Sequence, residues 1–144
     1  MIDFSFKLPD DMKIEYLNSL HLQLPTKGSI LAAGYDFFAT ENIHIYPNSS
    51  VFIETYVKVN GPIGWWGLLK ERSSLAKKGL LVRGGVIDCD YIEDTIKVVL
   101  YNCNDEEPIF INKGDKYIQY IPIPTLIQTP AFLDRKGGFG STGK

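Results

Sequence analysis

Cysteine, histidine, methionine and tryptophan each occur only twice in these 144 residues, and that scarcity excludes several kinds of chemistry at once. Cys89 and Cys103, with His21 and His44, show no metal-type spacing, so neither a zinc site nor a disulfide framework is expected, and a reducing compartment is the default. No run approaches the roughly 18 apolar residues of a membrane-spanning helix. The first eight residues also lack the apolar stretch of a secretory signal. The expectation is a protein of the cytoplasm or nucleus with no membrane partner. An excess of charge of one sign is missing too: 15 basic and 17 acidic residues leave a formal charge of -2. Nothing global then attracts nucleic acid, and no nucleic-acid partner is expected; any anionic ligand has to be held by a local cluster.

What is present is ordinary for one soluble domain: 44% apolar and 22% charged residues, with 13 glycines and 8 prolines scattered rather than gathered into a linker. The dominant pattern is short alternating runs between turn residues. In residues 51–59 Val51, Ile53, Val57 and Val59 share one face, which predicts a strand, and Asn60-Gly61-Pro62 then predicts a turn. Further strands are predicted over 43–46, 67–70, 95–101, 109–111 and 117–121. Such spacing predicts an all-β sandwich or barrel. A short helix capped by Ser73 or Ser74 and ended by Gly79 is expected, and a second one over 12–20 after Asp10-Asp11. The last stretch, 133–144, has four glycines in its final eight residues and little apolar surface, so it is expected to be a flexible arm separate from the 1–132 domain.

Five segments set Asp, Arg, Ser or Gln, in four of them together with glycine, in otherwise apolar sequence: 32–36 (Ala-Ala-Gly-Tyr-Asp), 72–76 (Arg-Ser-Ser-Leu-Ala), 85–91 (Gly-Val-Ile-Asp-Cys-Asp-Tyr), 114–119 (Gly-Asp-Lys-Tyr-Ile-Gln) and 137–143 (Gly-Gly-Phe-Gly-Ser-Thr-Gly). Each alone reads as a turn, a helix start or a polar strand end. Residues 138–144 also match a phosphate-binding loop up to its lysine, but such a loop needs a preceding strand and a following Ser or Thr. The arm can still gather backbone N–H groups around an anion, with Arg135, Ser141, Thr142 and Lys144 adding donors.

Together, in this order and over nearly the whole chain, the five segments resemble the motifs of the trimeric dUTPase family. The resemblance implies a jelly-roll-like distorted β-barrel assembled as a homotrimer, with each active site built from all three chains. It implies a dUTP diphosphatase, which cuts dUTP to dUMP and pyrophosphate by magnesium-assisted attack of water on the α-phosphate. On that pattern Gly85, Val86 and Ile87 recognise uracil largely through backbone groups, Tyr91 packs under the deoxyribose, and Asp88 activates the water. Asp90 is its rival by proximity, and strand alternation would put both acids on one face. Arg72, Ser73, Ser74 and Gln119 hold phosphates from one subunit. Arg135, Gly140, Ser141 and Thr142 reach them on the arm of another, with Phe139 stacked over the base. Asp36 steadies Mg2+ through water.

Departures surround this set. Glu71 stands where the family usually has Pro, Ile92-Glu93-Asp94 replaces the usual Arg-Gly after Tyr91, Lys116 replaces Arg, and Ile118 replaces Ala beside Gln119, a bulkier group near the site. The interval from Arg135 to Phe139 is one residue short. They leave two alternatives to weigh: a catalytically weakened nucleotide-binding or regulatory protein of the same fold, and a dCTP deaminase. The short chain and the glycine-rich end favour dUTPase over the deaminase.

Overall fold

A computed structural model describes residues 13–16 and 23–127. The chain order is β1 (Lys13–Tyr16), β2 (Tyr35–Phe38), β3 (Ile43–Ile45), β4 (Ser50–Glu54), β5 (Val57–Asn60), β6 (Trp65–Glu71), α1 (Ser73–Ala76), β7 (Leu80–Arg83), β8 (Val86–Ile87), β9 (Lys97–Asn102), β10 (Ile109–Ile111) and β11 (Lys116–Pro124). Every pairing among them is antiparallel. The largest sheet runs β2-β11-β6-β8, a second runs β4-β9-β7, and two-stranded ladders join β1 to β5 and β10 to β3. This is the all-β, jelly-roll-like barrel that the sequence predicts.

Alternation explains most of it. In β9 every second residue, Val98, Leu100 and Asn102, is buried, and in β5 Val57 and Val59 are. These side chains join Phe37, Ile45, Leu69, Ile111 and Ile118 in a single core, where full burial of each aliphatic contributes about 1.5–3 kcal/mol. Asn102 is tolerated inside because its amide donates to the carbonyls of Ile45 and Glu107, at 3.0 and 2.8 Å.

Three predictions need correction. The strand over 51–59 is two strands, broken at Thr55-Tyr56, where Tyr56 takes φ 59°. The break lets the chain change partners: β4 pairs with β9 and β5 with β1. Thr55, buried, ties it down by donating its hydroxyl to Ile96 O at 2.6 Å and accepting the Val57 N–H at 3.1 Å. The second correction concerns 12–20, where Lys13–Tyr16 is strand rather than helix because β5 offers it a ladder; the remainder of that segment lies outside the described residues. The short helix is present, but Arg72 is its N-cap residue and Ser73 and Ser74 sit inside its first turn, with no side-chain capping bond.

Candidate active site

The register of the largest sheet assembles the first group of residues. Gln119 on β11 lies opposite Asp36 on β2 and opposite Lys70 on β6, so two motif residues stand abreast beside the strand that leads into a third segment. Arg72 follows directly on β6. Asp36, only 9% exposed, receives the Arg72 Nε–H at 3.0 Å on Oδ1 and faces the Lys116 ammonium at 3.7 Å on Oδ2. The Gln119 amide donates to the carbonyl of Glu71 at 3.2 Å, which fixes the strand end from which Arg72 departs. Lys116 is delivered by the turn before β11: the Gly114 N–H donates to Ala39 O, Ala39 N–H donates to Asp115 O, and the Asp115 carboxylate receives the Asn112 N–H.

Beside this group is an open depression of about 420 Å³, whose lining includes Arg72, Ser74, Lys78 and Lys116 together with Phe38 and Phe110. Cations around an open hollow suit an oxyanion. Of these residues Lys116 was seen in the sequence only as a departure, and Lys78 was missed; a lysine after a short helix carries no signal of its own.

Two of the departures, Glu71 and Ile118, do not line the depression. Glu71 does not face the depression. Its carboxylate pairs with Lys70 at 3.0 Å and receives the Val82 N–H at 3.1 Å. Burial opposes the Glu71 charge, but these donors outweigh it and hold the carboxyl below the ordinary glutamate range. Ile118, expected as a bulky group near the site, is fully buried in the core, on the opposite side of β11 from Gln119. Successive residues of a strand point to opposite faces, which separates the two directions.

The second group sits elsewhere. β8 carries Val86 and Ile87 at the edge of the large sheet, where among the described residues it pairs with β6 alone. Gly85 enters it at φ 89°, and a Cβ there would come within 2.8 Å of Leu69 O, so no larger residue fits. After Ile87 the chain turns: Tyr91 N–H donates to Asp88 O at 3.1 Å. Asp88 and Asp90 are therefore in a turn, and strand alternation does not decide between them. Asp88 is exposed at the mouth of this turn. Tyr91 packs its ring against the core and donates its hydroxyl to Thr95 O at 3.0 Å. Burial raises its hydroxyl pKa, with Asp94 and Glu54 adding to the rise and Lys97 opposing it.

The unusual segment 92–94 is anchored rather than loose. Asp94 receives the Thr95 N–H at 2.7 Å and the Lys97 ammonium at 2.6 Å, and Lys97 reaches Glu54 at 3.6 Å.

Within one chain the two groups do not meet. Ile87 lies opposite Gly67 and Ile118 opposite Glu71, four residues further along β6, a separation of roughly 13 Å before either group projects outward. Arg135, Phe139, Gly140, Ser141 and Thr142 lie outside the described residues. Among the described residues no three His, Cys, Asp or Glu side chains gather as a metal site. Magnesium that arrives on phosphates keeps several waters and needs one or two carboxylates, and Asp36 is a carboxylate placed beside Arg72 and Lys116. No helix among the described residues is long and apolar enough to cross a membrane.

A family model described as dUTPase matches residues 21–143. The chain is 39% identical over 139 residues to the deoxyuridine 5'-triphosphate nucleotidohydrolase of Debaryomyces hansenii, covering 90% of this chain and 86% of that one. It is 36% identical over 141 residues to that of Saccharomyces cerevisiae, covering 92% and 94%. Among solved structures, the native EIAV dUTPase aligns with a TM-score of 0.72 at 25% identity, over 88% of this chain and 98% of that one. A mutant dUTPase from phage phi11 of S. aureus, described as coordinating a structural Mg(II) ion, aligns with a TM-score of 0.71 at 25% identity, over 89% and 97%.

Proposed function

The chain belongs to the dUTPase family, and we propose that it hydrolyses dUTP to dUMP and pyrophosphate at sites shared between the subunits of a homotrimer. The observation that carries the reading is the division of labour along β6, with phosphate-type donors gathered at its Glu71 end and the Asp88 turn flanking its Gly67 end. A water poised on the α-phosphorus has to be within about 3 Å of its base. In this reading neighbouring copies each supply one half of a site.

Uracil pairs with the open backbone edge of β8, where an amide-like ring edge finds strand donors and acceptors. Tyr91 is immobilised from behind by the core and by Thr95, which makes it a firm platform for the sugar. Asp88 takes the proton of the attacking water as it adds to the α-phosphorus, and pyrophosphate leaves. Arg72, oriented by Asp36, and Gln119 with Ser73 and Ser74 align the phosphates and offset charge on their oxygens, which is the main demand of phosphoryl transfer. From another subunit the arm 133–144 adds Arg135, Gly140, Ser141 and Thr142, and Phe139 covers the base. Asp36 would steady, through water, a magnesium ion arriving with the phosphates, and that ion would supply charge neutralisation.

Asp88→Asn tests the assignment. Turnover of dUTP should fall at least about 100-fold while binding of a non-hydrolysable analogue stays nearly intact. Unchanged turnover would reject the role of this acid.

A further inference from the structure

The charge balance of the depression singles out a residue that the motifs do not. Arg72, Lys78 and Lys116 are its cations and Asp115 is the acid in its wall. Asp36, behind them, engages both Arg72 and Lys116. Two carboxylates against three cations leave one positive charge over. Among the described residues no carboxylate lies within ion-pair range of the Lys78 ammonium. We propose that Lys78 is a further phosphate-binding residue, which grips the terminal phosphates of the substrate and the pyrophosphate product.

Local geometry aims it there. The helical turn continues past α1, since Lys78 N–H donates to Leu75 O and Gly79 N–H to Ala76 O, both at 3.0 Å. Ser74 and Lys78, four residues apart, thus share a face, and both line the depression, whereas the neighbouring Lys77 does not. The root of the side chain is fixed: Asn104 Nδ2 donates to Lys78 O at 2.6 Å, and Asn104 is itself bonded to the fully buried Asn102 at 2.9 Å. A fixed root with a mobile ammonium suits a group that must follow pyrophosphate as it separates from the α-phosphorus; lysine acts as a compact point charge with rotatable donors.

This inference rests on the depression being the phosphate half of the proposed site, so the experiment separates the two. Inorganic pyrophosphate, with magnesium present, is titrated calorimetrically into the unaltered protein and into Lys78→Ala, Lys78→Arg and Lys77→Ala, and dUMP is titrated into the same set. Lys78→Ala should weaken pyrophosphate roughly tenfold or more, the scale of a lost charge-assisted contact, and leave dUMP unchanged. Lys78→Arg should recover most of the loss, and Lys77→Ala, which removes the same charge one residue away, should stay within about twofold. In turnover of dUTP, Lys78→Ala should raise KM by a similar factor with a smaller change in kcat. Equal pyrophosphate affinities for the two alanine variants, or a parallel loss of dUMP, would overturn the proposal. If the unaltered protein released no pyrophosphate from dUTP, the functional reading would fall, while the pyrophosphate titration would still decide the role of Lys78.

Discussion

Replacing Asp36 by Asn keeps the shape of the side chain and removes its charge from between two cations. Asp36 is 9% exposed, its Oδ1 lies 3.0 Å from Arg72 Nε, and its Oδ2 lies 3.7 Å from the Lys116 ammonium. The short contact is a hydrogen bond between charged groups, worth about 1.5–3 kcal/mol net. The longer one involves a partly exposed lysine and contributes at most about 1 kcal/mol. Asn keeps one acceptor, so we expect a loss of about 2 kcal/mol. For a chain of this length that lowers Tm by roughly 4–8 °C. A double-mutant cycle with Arg72→Gln isolates the pair: urea midpoints for the four proteins, at one fixed subunit concentration because assembly contributes to stability, should give a coupling of about 1–3 kcal/mol. A coupling below about 0.5 kcal/mol would refute the claim that Asp36 holds Arg72. The same substitution should raise KM for dUTP, since an arginine released from its anchor must be ordered again on binding.

Gly67→Ala should destabilise by about 1–3 kcal/mol, because the new methyl would fall inside the ring of Tyr120, which is 4% exposed and stacked on Phe37; an unchanged urea midpoint would contradict it. Glu71→Gln should cost about 1 kcal/mol at neutral pH. Since folding lowers the Glu71 pKa, its charge contributes in full above the unfolded value of about 4.3 and the contribution fades as pH falls through the lower folded value, so the two urea midpoints should converge in acid; a pH-independent gap would argue otherwise. Removing residues 135–144 should leave the sedimentation of the assembly unchanged and abolish most dUTP turnover, and a truncated protein with normal turnover would exclude the proposed role of the arm.

The strands that alternate cleanly, such as β9 and β5, were legible because one face is wet. β2 was not, since both Asp36 and Phe37 are buried in succession, and β8 is only two residues long. The break at Tyr56 carried no glycine or proline to announce it; a tyrosine takes φ 59° there because Thr55 and Ile96 hold it. Likewise Lys13–Tyr16 follows its partner strand rather than its local signals. At the site, Asp36, Arg72 and Gln119 were each visible as residues, but their convergence is a property of sheet register. The sequence could not say that Glu71 turns toward Val82 or that Ile118 turns inward, since both depend on what lies across the ladder.

β6 carries one further consequence. On the proposed reading it is a single stiff bar with a phosphate grip near one end and a base-reading edge near the other, and it ties each protomer's service to two different customers. In an assembly of the proposed kind, damage at its middle, where Leu69 is fully buried, would disable contributions to two catalytic centres at once. Mixed particles holding one such defective copy would then lose more than a third of their output.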